Sequence, residues 1–137
     1  MADDTYRVTK TEEEWRARLS PLQYEVLREA GTERPFTGAY WRTKIAGTYV
    51  CAGCDQPLFR SEQKYSSGCG WPSFFEELPE ARIEVRLDES HGMVRQEILC
   101  SGCGGHLGHV FPDGPKPTGT RYCVNSASIR LIEDKAE

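Results

Sequence analysis

Six cysteines carry most of the reactive chemistry in this 137-residue chain, and their spacing sorts them into two groups. Cys51-Ala-Gly-Cys54 and Cys100-Ser-Gly-Cys103 are C-x-x-C pairs. Two intervening residues let both sulfurs of a pair turn toward one ion, and the glycine before each second cysteine eases the tight turn. Together the two knuckles supply the four thiolates that tetrahedral zinc takes at about 2.3 Å, with no coordination position left open. The expectation is one structural zinc per chain. The long interval between Cys54 and Cys100 requires the knuckles to meet through the fold. A one-iron, four-thiolate site is also chemically allowed, and His106 or His109 could stand in for a thiolate. A thioredoxin-like redox motif needs a βαβ context that is absent. Haem attachment needs a histidine where Gly104 follows Cys103.

Cys69 and Cys123 are left over, without metal spacing. Cys69 sits in "SSGCGWPSFF", a glycine-flanked stretch that reads as a loop. Cys123 sits in "GTRYCVNSASIRL", which reads as a strand placing Cys123, Asn125, Ala127, Ile129 and Leu131 on one face. A cysteine on a strand and another on a loop suit reversible disulfide chemistry, in which one thiolate attacks and the second resolves the product. Two unrelated cysteines remain the competing reading, since nothing local ties the pair.

The elements that must position these groups are mostly strands. Residues 9–31 form the one helical region: Thr11 with Glu14 fits a capping box, Ser20-Pro21 starts a second helix, and Gly31 is the expected C′ stop. Both helices are expected to cover the remainder. "RIEVRLD" alternates strictly, with Ile83, Val85 and Leu87 on one face and charges on the other, then turns through "ESHG" into "MVRQEILC" as a hairpin. His91 falls in that turn and is expected to be structural or peripheral. "YCVNSASIRLIE" is the final strand, and "FPDGPKPTGT" is a loop. "YVCAGCDQPL" and "ILCSGCGGHL" echo each other as two strand-to-knuckle units.

The totals fit one domain over 1–137, with a helical region 1–33, a β core 34–132 and a tail 133–137. The hydrophobic fraction of 38% with 13 Gly and 8 Pro predicts short strands and many turns. A net charge of -4 argues against a nucleic-acid partner. No apolar run approaches the roughly 20 residues of a membrane span, and the polar start lacks secretory signal character. The expected compartment is the cytoplasm, where cysteines serve as ligands or catalysts more often than as staples.

"SGCGWPSF", "CSGCGGHLGHVFPDGPKPTG" and "RYCVNSAS", together with the two knuckles and in this order, resemble the methionine sulfoxide reductase B family. The resemblance runs from Arg34 to Ile132; Thr120 and Ile129 depart from its pattern without touching proposed chemistry. It implies reduction of the R epimer of methionine sulfoxide, mainly in proteins, on a fold of two antiparallel sheets forming a barrel-like core with short N-terminal helices. Cys123 is then the nucleophile that becomes a sulfenic acid, Cys69 the resolving cysteine, and thioredoxin the reductant of their disulfide. His109 is the implied acid, and Asn125 a donor toward substrate or a neighbour. Trp71, with His106 and Phe111, is implied to contact substrate, Trp71 against the S-methyl group. Arg121 would favour a thiolate at Cys123.

Other functions account for less. A non-catalytic zinc module leaves "GCGWPSF" and "RYCVNSAS" idle. A thiol peroxidase or redox sensor would use the same two cysteines on hydrogen peroxide, and a secreted protein would pair its cysteines as disulfides.

Overall fold

The computed structural model describes residues 10–79, 81–89 and 92–134; His91, residues 1–9 and the 135–137 tail lie outside the described residues. Helix α1 (Glu12–Arg18) starts on the expected reciprocal bonds between Thr11 and Glu14. Helix α2 (Pro21–Glu29) repeats the device with Ser20 and Gln23, each cap contributing about 1 kcal/mol. The left-handed residue closing α2 is Ala30 (φ 56°), one position before the expected Gly31. Trp15 and Leu27 bury one face of this pair in the core.

Among the described residues nine strands follow. β1 (Gly47–Cys51), β2 (Pro57–Arg60) and β9 (Ile129–Glu133) form an antiparallel sheet ordered β2-β1-β9. β3 (Lys64–Tyr65), β4 (Ser73–Phe74), β5 (Ile83–Asp88), β6 (Arg95–Cys100), β7 (His106–Phe111) and β8 (Arg121–Val124) form the other, ordered β3-β4-β8-β7-β6-β5. Phe59 of the small sheet stacks on Phe74 of the large one at 4.3 Å, and Tyr49 meets Phe74 edge-on at 5.2 Å. All three rings are fully buried, each contributing roughly 1.5–3 kcal/mol. The protein is thus mainly β with two antiparallel sheets, as expected. Neither sheet closes on itself, so "barrel-like" describes it only loosely.

The structure corrects two sequence expectations. "YCVNSASIRLIE" is two strands, not one: a 3-10 turn at Ser126–Ser128 separates β8 from β9, and the two halves join different sheets. Short polar side chains take over the backbone pairing there. Ser126 Oγ accepts from the Tyr40 N–H, and Ser128 Oγ donates to the His106 carbonyl. Ala127, Ile129 and Leu131 therefore do not share the face of Cys123. In β5 only Ile83 of the apolar side packs on the core; Val85 is 51% and Leu87 65% exposed. On the opposite side, Asp88 turns inward and receives His109.

Candidate active site

Ladder register brings the site together. Ser73 of β4 stands opposite Cys123 of β8, Cys123 opposite His109 of β7, and His109 opposite Glu97 of β6. Residues directly opposite share a face, so these four form one row across four strands. The β3–β4 hairpin loop then carries Cys69 over the row, leaving its Sγ 3.2 Å from that of Cys123, both as free thiols. Gly70 in that loop holds φ +90°, and a Cβ there would press on Pro35 and Phe36, whose N–H donates to the Gly70 carbonyl. Only glycine allows both the backbone angle and that close approach.

The two sulfurs are electrically unlike. Cys69 Sγ accepts hydrogen bonds from the Cys123 thiol at 3.2 Å, from Ser67 Oγ at 3.0 Å and from Ser73 Oγ at 3.4 Å. These donors, Cys123 foremost, pull Cys69 down to about 4. Cys123 is correspondingly pushed up, by its bond to Cys69 and by burial, against a smaller opposing pull from Arg121. The bond between the two sulfurs thus favours the charged form at Cys69 and the protonated form at Cys123. Arg121 is fixed by two bonds to Asp113, at 2.9 and 3.2 Å, and lies 4.3 Å over the Phe111 ring.

Beside Cys123 opens a cavity of about 120 Å³, lined by Trp71, His109, Phe111, Arg121, Asn125 and Arg95 among others. That is the volume of about four waters, at ~30 Å³ each, and suits a short unbranched side chain. Trp71 and Phe111 give it apolar walls. His109 Nε2 contacts Asp88 Oδ2 at 2.8 Å, which orients the ring. His106 does not line the cavity. It is 4% exposed, with Nδ1 2.6 Å from Glu97 Oε2 and its ring 5.7 Å from that of His109, and burial pushes its pKa down.

Asn125 is buried and tightly held. Its Oδ1 accepts from the Glu33 N–H at 3.0 Å, and its Nδ2 donates to the Leu107 carbonyl at 3.2 Å. Glu33, which follows α2, is a site residue that no sequence motif marks. It is 3% exposed, its carbonyl accepts from Trp71 Nε1 at 3.0 Å, and its Oε1 accepts from the Ala127 N–H at 2.9 Å. One residue thereby holds both a wall and a polar corner of the cavity. Arg95, Asp88, Ser67 and Ser73 were also missed. The alternation of Arg95 and Glu97 in "RQEILC" was a signal for a polar inner face. Nothing local marks Glu33 or the serines, whose partners lie on other elements.

The other four cysteines meet away from this cavity. The sulfurs of Cys51, Cys54, Cys100 and Cys103 all lie within 4.8 Å of one another, with Cys51–Cys103 at 3.7 Å and Cys54–Cys100 at 3.5 Å. Tetrahedral zinc with about 2.3 Å bonds sets sulfurs about 3.8 Å apart, so the quartet fits such an ion. The knuckles match in detail. Cys51 N–H bonds the Gln56 carbonyl at 2.8 Å and Cys100 N–H the Gly105 carbonyl at 2.9 Å; Asp55 and Gly104 both take positive φ. One knuckle joins β1 to β2, the other β6 to β7, so a shared ion would tie the two sheets.

Residues 19–133 match the SelR domain family model. A protein of Bradyrhizobium diazoefficiens is 60% identical over 125 residues, covering 91% of this chain and 90% of its own length. One from Hahella chejuensis is 61% identical over 125 residues (91% and 90%), and one from Leptospira interrogans 56% over 129 residues (94% and 98%). All three are peptide methionine sulfoxide reductases MsrB. Among the described residues no helix is long and apolar enough to cross a membrane. With the motifs in their expected order and relatives aligned along nearly the whole chain, this protein belongs to the SelR-domain family of methionine sulfoxide reductases of the MsrB type.

Proposed function

We propose that this oxidoreductase reduces the R epimer of methionine sulfoxide in oxidised proteins through a sulfenic acid on Cys123. The observation that carries the reading is the 3.2 Å approach of Cys69 and Cys123 beside a cavity of side-chain size. Trp71 and Phe111 receive the substrate's apolar end. Cys123 Sγ attacks the sulfoxide sulfur as a thiolate, a form that the neighbouring Arg121 favours. His109, held by Asp88, serves as proton donor to the sulfoxide oxygen. The sulfoxide oxygen then passes from the substrate sulfur to Cys123 Sγ as the transient S–S bond between them breaks, so the substrate sulfur gains two electrons and leaves as methionine and Cys123 becomes S–OH. Cys69 Sγ then attacks Cys123 Sγ, a disulfide forms and water departs, balancing atoms and electrons. Thioredoxin's two thiols reduce that disulfide. Asn125 lines the cavity and His106 supports it from behind, and the Cys51, Cys54, Cys100 and Cys103 quartet holds a structural zinc.

The test is turnover of separate R and S sulfoxide peptides. With dithiothreitol, the wild type should reduce the R form and Cys123→Ser neither. Cys69→Ser should keep dithiothreitol-driven turnover and lose thioredoxin-driven recycling. Equal support by both reductants in that variant would remove the resolving role. Faster reaction with hydrogen peroxide than with methionine sulfoxide would favour a redox sensor.

A further inference from the structure

Two openings lie on the side of Cys69. The first, about 540 Å³, is lined by Tyr65, Ser67, Cys69, Asp113 and Arg121. Arg121 also lines the cavity beside Cys123, so it stands between that cavity and this opening. Tyr65 in turn lines a second cleft of about 500 Å³, with Trp41, Arg42, Lys44 and Lys64. No acidic residue lines this second cleft.

That is an unusual gathering of charge on a chain whose net charge is -4. Among the described residues, seven arginines sit in ion pairs, whereas Arg42, Lys44 and Lys64 sit in none. Arg42 lies 5.2 Å over the Trp41 ring, and Lys64 Nζ donates to the Trp41 carbonyl at 3.3 Å, so two of the cations are held in place around one aromatic. Burial and the neighbouring Lys44 push the Lys64 pKa down, a sign that the cations crowd each other without a counter-charge. Tyr65 adds a buried hydroxyl without a hydrogen-bond partner. Three unpaired cations and an aromatic wall make a receptor for carboxylates.

We infer that the Trp41, Arg42, Lys44, Lys64 and Tyr65 cleft is a docking surface for the protein dithiol that recycles the enzyme, and that it receives acidic side chains flanking the partner's thiols. The assignment rests on the recycling route through Cys69. A protein reaching Cys69 through the first opening must lay its flank across Tyr65 onto this cleft. The methionine sulfoxide cavity, by contrast, shares no lining residue with this cleft. Paired cations at an interface rim act chiefly on encounter rate and on salt dependence.

The experiment compares the wild type with an Arg42→Glu, Lys44→Glu double variant, both positions being exposed and outside the cavity. The substrate is an R-sulfoxide peptide, and the reductant is either dithiothreitol or a thioredoxin of net negative charge. At low salt the variant's KM for thioredoxin should rise about tenfold. The gap should close as salt is added, while dithiothreitol-driven kcat and peptide KM stay at wild-type values. An unchanged thioredoxin KM, with recycling intact, overturns the docking surface alone. A peptide KM that shifts with dithiothreitol reassigns the cleft to substrate and overturns it too. Failure of thioredoxin to support the wild type at all overturns the recycling route, and this inference with it.

Discussion

Cys69 Sγ stands 3.2 Å from Cys123 Sγ although 54 positions separate them, and the loop cysteine, not the strand cysteine, is the better thiolate. The asymmetry follows from donors. Two serine hydroxyls and the Cys123 thiol all point at Cys69, while Cys123 has Arg121 alone working in its favour. A resolving thiolate ready beside the nucleophile limits the lifetime of a sulfenic acid, which otherwise oxidises further.

Because only the thiolate alkylates, labelling of Cys69 in the reduced enzyme should remain rapid at pH 5 and lose half its rate near pH 4. An ordinary cysteine, with a pKa of about 8.5, would already be slow at neutral pH. Mass spectrometry of iodoacetamide-treated protein reads both sites. Cys123 should label last. Ser67→Ala with Ser73→Ala withdraws two donors and should move the Cys69 midpoint upward.

Glu33 joins Trp71 and Asn125 through its backbone, and its side chain anchors that backbone to Ala127. Glu33→Ala leaves the part-buried Ala127 N–H without its acceptor, a loss of about 1 kcal/mol. It should also loosen the Trp71 wall, lowering kcat/KM for sulfoxide peptides by about tenfold, equivalent to ~1.4 kcal/mol. Glu33→Gln keeps an oxygen for Ala127 and should stay near wild type. Equal loss in both variants would point to the charge rather than the bond.

Gly108 lies where β7 passes β8, and a Cβ there would collide with the Cys123 carbonyl oxygen. Backbone cannot yield as a flexible side chain does. Gly108→Ala should therefore cost about 1–3 kcal/mol by overpacking and push Cys123 out of register with His109. A lower Tm and a lower kcat should appear together; a drop in neither would show that the two strands part freely.

Elemental analysis should return one zinc per chain. In the native protein a thiol reagent should count two cysteines, Cys69 and Cys123, and after denaturation with a chelator to remove the metal all six. Cys54→Ser opens the quartet and releases the tie between β1–β2 and β6–β7. A stability loss of several kcal/mol follows, with Tm falling on the order of 10 °C. Tm unaltered by chelation or by this substitution would deny the ion a structural part.

Features that depend on neighbours a few positions away were legible from the chain alone. The C-x-G-C knuckles place two sulfurs within one turn, and Thr11 with Glu14 closes a cap three residues long. The β5–β6 hairpin follows from alternation. Features that depend on distant backbone were not. Alternation in "RIEVRLD" located a strand but not what each side would meet: Ile83 packs on the core, Val85 and Leu87 stay exposed, and Asp88 bonds His109 on another strand. "NSAS" continues the alternating pattern of a strand, but serine bonds to Tyr40 and His106 break it into two.

By itself the amino-acid order determined the inventory of this protein: two metal knuckles, two further thiols, helix caps, and strands with their turns. Each is set by interactions spanning a handful of residues, which a linear reading contains. Only the tertiary structure decided that Cys69 overhangs Cys123, that Glu33 braces Trp71 and Asn125, and that Arg42, Lys44 and Lys64 share one cleft. Those juxtapositions come from ladder register and from core packing of Tyr49, Phe59 and Phe74 between the sheets. Both are sums over many distant contacts, and no single stretch of sequence carries them.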